Sequence, residues 1–291
     1  MAGYILYNGI WNRRAVPDTV RRLAEAGERE RFSLTPLPNT AVWAVYGPRG
    51  VEVSPLRAGD TVLCFDKDVR LLCALEQAGV SVYNSAEAVA LCDDKAATHR
   101  VLSAAGLPMP DTFVAPMTYL RFDETGEAFL RAAEERLSYP LVCKECYGSL
   151  GEQVWLIRSP QELRVRAARC GSRPFLLQRY VAASCGRDLR LYVVGGRVAA
   201  AMERRSETDF RANIARGGVG TAYTPTDEEA ALAVRCCAAL GLDFGGVDLL
   251  READGSPLVC EVNSGARLRG ITQYTGVDMA AEIVRYVRDR R

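Results

Sequence analysis

The chain has 291 residues, 48% hydrophobic and 25% charged, with 37 basic side chains against 36 acidic ones. That length suits two or three lobes of ordinary globular composition, and so even a charge balance supplies no overall field to recruit nucleic acid or an anionic membrane. No run approaches the ~18 apolar residues of a membrane span, and no basic-then-apolar leader opens the sequence, so a soluble, cytoplasmic protein is expected.

Apolar strands alternating with periodic helices predict α/β and α+β lobes. In the first, strands are expected over 4–7, 61–65 and 80–83 and helices over 17–26 and 69–78, closing a domain at 1–92. A helix then begins at Asp93 and Asp94, acids suited to its dipole, and stops at Gly106 ahead of Pro108 and Pro110. Strand 112–115, helix 126–137, a hairpin-like pair over 141–144 and 153–157, a helix after Ser159 and strand 175–178 complete a second domain at 93–181. The third, 182–291, is read as strands 188–194 and 197–204 around Gly195-Gly196, helix 227–240, strands 245–250 and 258–262, and a final helix.

His99 is the only histidine, which removes zinc hydrolases built on histidine clusters and Ser-His nucleophiles. Ten scattered cysteines read as reduced thiols packed as small hydrophobes. The one C-x-x-C, Cys143 and Cys146, has no second pair at finger spacing.

Three segments carry chemistry. Between the paired strands lies Lys144-Glu-Cys-Tyr-Gly148-Ser149-Leu-Gly151; its glycines would let backbone N–H groups approach phosphate oxygens beside a compact positive charge. A plain glycine turn gives a similar pattern, but an ammonium ending an apolar strand is costly to desolvate unless it meets an anion. The second is Asp248, Glu261 and Asn263, at the ends of consecutive strands. Glu261 and Asn263 are two apart and share a sheet face that Asp248 reaches from the neighbouring strand. Such hard oxygens suit Mg²⁺ on nucleotide phosphates; solvated acids at a strand end are the alternative. The third is Arg204, Arg205, Asp209, Phe210, Arg211, Asn213, Arg216, Gly217 and Gly218, either a clamp on a transferring phosphoryl group or a solvated basic loop.

In this order the segments resemble the ATP-grasp superfamily, and within it the RimK-like enzymes of the ribosomal-protein glutamate ligase type. The resemblance spans about residues 80–290. It runs through Asp94-Lys95, Gly186-Arg-Asp188-Leu-Arg190, Glu203-Arg204-Arg205, Asp209-Phe-Arg211-Ala-Asn213, Gly246-Val-Asp248, Glu261-Val-Asn263-Ser264 and Thr275-Gly-Val-Asp278. It implies an ATP-grasp fold preceded by a pre-ATP-grasp domain. It also implies a ligase that activates a carboxylate as an acyl phosphate and joins it to an amine, releasing ADP and phosphate. By that resemblance Lys95, Lys144, Gly148, Ser149 and Gly151 would hold the ATP phosphates, with Asp188 nearby. Gln178, Arg179, Tyr180 and Val181 would hold the adenine, and Asp248, Glu261 and Asn263 would hold Mg²⁺ or Mn²⁺, two ions being expected. Arg204, Asn213 and Arg216 would steady the acyl phosphate, and Arg190 and Arg211 would face substrate. The partners implied are ATP, a carboxylate donor such as glutamate, and an amine on an amino acid, peptide or protein tail; self-association is left open.

Two departures matter. The acid expected to bind ribose is replaced by Ala183, and the turn after Ser264 reads Gly265-Ala-Arg267-Leu-Arg269-Gly270. Arg267 and Arg269 are therefore candidates for pairing with a substrate carboxylate or phosphate, since guanidinium forks bind such groups bidentately. In the first lobe, Asp66, Lys67, Asp68 and Arg70 read as a charged helix start or a binding loop. A small-molecule kinase on the same fold, or an ATP-binding regulator without turnover, are the competing readings.

Overall fold

The computed structural model describes residues 2–11 and 15–290. The first lobe is built from β1 (Gly3–Tyr7), α1 (Asp18–Arg29), β2 (Leu34–Pro38), a hairpin of β3 (Trp43–Gly47) and β4 (Gly50–Ser54), then β5 (Thr61–Cys64), α2 (Val69–Gln77) and β6 (Ser81–Tyr83). Its sheet is parallel, in the order β2-β1-β5-β6. Every residue of β5 is buried, as expected of a parallel strand covered on both faces. β2 contains two prolines and was not legible as a strand; it lies at the sheet edge, where a missing N–H is tolerated.

Two helices follow, α3 (Ala86–Asp93) and α4 (Lys95–Ala104). The acidic pair is divided between them: Asp93 closes α3, while the Asp94 carboxylate caps α4 by accepting from Ala96 N at 2.9 Å and Ala97 N at 3.4 Å. β7 (Thr112–Val114), α5 (Glu127–Leu137), β8 (Leu141–Glu145), β9 (Val154–Ile157), α6 (Pro160–Cys170) and β10 (Phe175–Arg179) then form an antiparallel sheet, β7-β10-β8-β9, with two helices. Ser159 caps α6 ahead of Pro160.

The last lobe contains β11 (Arg187–Val194), β12 (Arg197–Arg205), β13 (Val219–Ala222), α7 (Asp227–Ala239), β14 (Phe244–Arg251), β15 (Pro257–Asn263), α8 (Leu268–Thr275) and α9 (Met279–Asp289). Its antiparallel sheet has the order β13-β12-β11-β14-β15. Two elements here escaped the sequence pattern, β13 and α8.

The apolar contacts divide unevenly. Ile5, Leu23 and Leu63 of the first lobe share one core with Tyr192, Phe244, Ile271 and Val284 of the last. The middle lobe keeps its own core around Leu130, Leu163, Phe175 and Leu177. Asn84 stitches the first lobe to the last sheet: its amide donates to Phe244 O at 2.8 Å and Ser264 O at 3.0 Å, and accepts from Asp243 N at 2.8 Å and Phe244 N at 3.1 Å. All ten cysteines are free thiols. Among the described residues no helix is long and apolar enough to cross a membrane.

Candidate active site

A cleft opens between the middle sheet and the last sheet, lined from both. Its floor holds two ammonium groups taken largely out of water. Lys144, on the fully buried strand β8, is 7% exposed. Its Nζ donates to Gln178 Oε1 at 2.7 Å and lies 3.8 Å from Cys260 Sγ. Lys95, first residue of α4, is 9% exposed; its Nζ donates to Gly148 O at 3.2 Å and stands 3.7 Å from Glu261 Oε1. Among the described residues Lys144 has no carboxylate partner and Lys95 has only Glu261 at 3.7 Å, so a polyanion in the cleft would relieve the desolvation of both.

Over these lysines bends the turn joining β8 to β9. Gly148 has φ +137° and Gly151 φ +72°, values that favour glycine. Space enforces the second: a Cβ at Gly151 would stand 2.8 Å from Asn213 Oδ1. The segment between β12 and β13 is therefore pressed onto this turn. Arg211 fastens the two, donating from Nη1 to Gly151 O at 2.6 Å and Val154 O at 2.8 Å while Nη2 grips Asp209 at 2.7 Å. The Arg211 guanidinium, against some burial, holds the Asp209 carboxyl down at about 2. Phe210 meets the Tyr180 ring edge-on at 6.4 Å between centroids.

At the other wall, β14 and β15 place Asp248 directly opposite Glu261 and Gly246 opposite Asn263. A bulge follows Asp248, a device that re-aims side chains beside functional sites. The neighbouring strands set Arg190 opposite Asp248 and Asp188 opposite Arg204. Arg190 grips Asp248 bidentately at 2.6 and 2.6 Å, and Arg204 spans Asp188 at 2.6 and 2.7 Å and Asp248 at 2.9 Å. Burial raises the Asp248 carboxyl, but its two guanidiniums outweigh that and leave it below the ordinary range. Asp188 shares one guanidinium with Asp248, and there burial wins and pushes the carboxyl up. Among the described residues no three His, Cys, Asp or Glu side chains form a metal-holding group. Asp248 and Glu261 bring two carboxylates to the cleft; Asn263 lies outside its lining and would contribute through Oδ1, its Nδ2 being buried without a partner among the described residues. That donor set fits a cation completing its shell with phosphate oxygens and water, as Mg²⁺ does.

Of the residues singled out in the sequence, Lys95, Lys144, Gly148, Ser149 and Gly151 line the cleft together. So do Gln178, Arg179, Tyr180, Val181 and Asp188, and across from them Asp248, Glu261, Arg211 and Asn213. Arg190 and Arg204 do not line it; their guanidiniums lie on the carboxylates beneath. Arg216 pairs with Asp209 at 3.3 Å. Arg267, at the N-cap of α8, and Arg269 are exposed and outside the lining, and neither forms an ion pair among the described residues. In the first lobe Asp68 caps α2 through Leu71 N at 3.2 Å, and Lys67 pairs with Asp93, so this segment is a charged helix start. Beside Ala183, Ser184 Oγ is occupied by Arg251 O at 2.9 Å and Arg251 N at 2.7 Å. Phe210, named within the polar run, lines the cleft. Sequence reasoning missed Gln153, Arg187 and Cys260 as lining residues, and none of them carried a signal.

A family model described as the RimK-like ATP-grasp domain matches residues 92–287. The ribosomal protein bS6–L-glutamate ligase of Escherichia fergusonii is 35% identical over 215 residues, 73% of this chain and 69% of that protein. The beta-citrylglutamate synthase B of Danio rerio is 36% identical over 239 residues, 81% of this chain but 57% of that protein, so the chain spans little more than half of it. Among solved structures, the ATP-grasp ligase PsnB, complexed with a phosphomimetic variant of its minimal precursor, Mg and ADP, matches with a TM-score of 0.73 at 18% identity, covering 100% of this chain and 98% of that one.

Proposed function

Since the chain belongs to the RimK-like ATP-grasp family of ligases, we propose that it is an ATP-dependent carboxylate–amine ligase working through an acyl phosphate, with an amino acid such as glutamate as one substrate. One observation carries the reading. A buried ammonium at the start of α4, a second on β8 and the glycine turn that follows it face cross-strand carboxylates of the last sheet, in one cleft. Phosphoryl transfer needs positioning and charge neutralisation rather than a protein nucleophile, and these residues supply both.

In this reading Lys95 and Lys144 neutralise the ATP phosphates, the Gly148–Gly151 turn covers them, and backbone groups at 178–181 hold the adenine. Asp248, Glu261 and Asn263 would hold Mg²⁺, which would supply charge neutralisation at the transferred phosphoryl group. Arg190 and Arg204 fix Asp248 from beneath. A substrate carboxylate oxygen attacks the γ-phosphorus and ADP leaves. The amine then attacks the acyl carbon beside Asn213 and Arg216, and phosphate departs as the amide forms. The glutamate assignment draws on the name of the E. fergusonii relative.

Hydroxylamine tests the intermediate. With Mg-ATP and the correct acid, trapping should yield a hydroxamate equimolar with ADP. A stable phosphorylated acid and no hydroxamate would establish the kinase reading instead.

A further inference from the structure

His99, the chain's single histidine, is 6% exposed and takes no part in the chemistry above. It lies on α4, four residues after Lys95, and meets β10 through Gln178. The hydrogen bonds around that amide leave one consistent arrangement. An ammonium only donates, so the Gln178 atom 2.7 Å from Lys144 Nζ is oxygen. The amide nitrogen then faces Thr112 Oγ1 at 2.9 Å and His99 Nε2 at 3.3 Å. Thr112 spends its proton on Pro110 O at 2.8 Å, leaving a lone pair for one Gln178 N–H. The other N–H points at His99 Nε2, which must be unprotonated to accept it. The imidazole proton therefore sits on Nδ1, 3.3 Å from Met109 Sδ. Burial first, and then the ammonium charges of Lys144 and Lys95, push this imidazole down to about 3, so it is neutral at physiological pH.

We propose that His99 is a positioning residue: by accepting from Gln178 Nε2 it prevents the amide from turning over, and so keeps Gln178 Oε1 on Lys144 and the ammonium aimed into the cleft. A reversed amide would set its NH₂ against the ammonium and leave Lys144 without its 2.7 Å partner. The inference rests on the reading of Lys144 as a phosphate ligand, and its test separates the two.

With one histidine in the chain, long-range ¹H–¹⁵N correlation on tag-free wild-type protein reads this imidazole alone. The neutral Nδ1–H tautomer is expected at pH 7; a protonated Nε2 would overturn the proposal. The second arm is a double-mutant cycle read by titration with Mg and a non-hydrolysable ATP analogue. His99→Phe keeps ring volume and removes the acceptor, and should weaken binding about tenfold, the scale of a hydrogen bond to a charged group. His99→Gln, which can present an oxygen at the same place, should recover most of it. In a Lys144→Met background His99→Phe should add less than about a twofold loss. An equal loss in both backgrounds overturns the positioning role while leaving Lys144 as a ligand. An unchanged affinity on Lys144→Met alone overturns both. Should His99→Phe fail to fold, His99→Leu carries the same expectations.

Discussion

Arg267 and Arg269 are guanidiniums without ion-pair partners among the described residues, at a helix that packs against the clasp segment: a Cβ at Gly270 would meet Ile214 Cδ1 at 3.1 Å, one residue from Asn213. If Arg267 pairs with a substrate carboxylate, Arg267→Ala should raise the KM for that substrate severalfold and leave nucleotide affinity intact. Unchanged kinetics would reduce Arg267 to a surface charge. His99 supplies a second prediction at this scale. The buried imidazole stays neutral down to about pH 3, whereas its ordinary value is 6.5. Between these values the unfolded chain binds a proton that the folded chain refuses. Its contribution is thus fully present above pH 6.5 and is lost as pH falls toward 3, by up to about 1.4 kcal/mol per pH unit. Urea midpoints at pH 7 and pH 5 should fall more for the wild type than for His99→Phe; parallel losses would mean that His99 is not held neutral.

The glycine turn between β8 and β9 works as a unit with the segment between β12 and β13. Gly151→Ala must adopt a left-handed backbone and push against Asn213 Oδ1, a conflict worth ~1–3 kcal/mol. It should weaken nucleotide binding between about fivefold and a hundredfold, while circular dichroism stays that of the wild type. Affinity within about twofold of wild type would show that the turn does not cover the phosphates. This is also the scale at which the sequence was most and least informative. Asp248 and Glu261 were legible because strand period and neighbouring strands suffice to pair them. Arg190 and Arg204 were singled out, but as substrate-facing and catalytic groups; their pairing with Asp248 and Asp188 was not legible, because it depends on the registers of β11 with β12 and β14, which composition does not reveal. β2 hid behind its prolines. α8 hid because Gly265 and Gly270 read as a turn, yet Gly270 stands inside the helix where a side chain would crowd Ile214.

For the whole molecule, the shared core of the first and last lobes makes the pre-cleft lobe part of the platform rather than an appendage. Asn84, fully buried, is the polar joint of that platform. Asn84→Ala leaves buried backbone groups at Phe244 and Ser264 and a half-buried one at Asp243 unpaired and should cost about 3 kcal/mol or more, lowering Tm by at least about 5 °C. A smaller shift would mean that water replaces the amide. The middle lobe, with its own core, meets the platform through the cleft and the Arg211 clasp, which is where a nucleotide would bridge them.

The central claim is the chemistry of that cleft, and the most direct measurement is Mg-ATP turnover across a panel of amino acids and short peptides, with ADP and phosphate quantified and condensed products identified by mass. The account predicts one acid–amine pair that stimulates ADP release, with phosphate and a new amide in equimolar yield. ADP release accompanied by a stable phosphorylated product and no amide would contradict it.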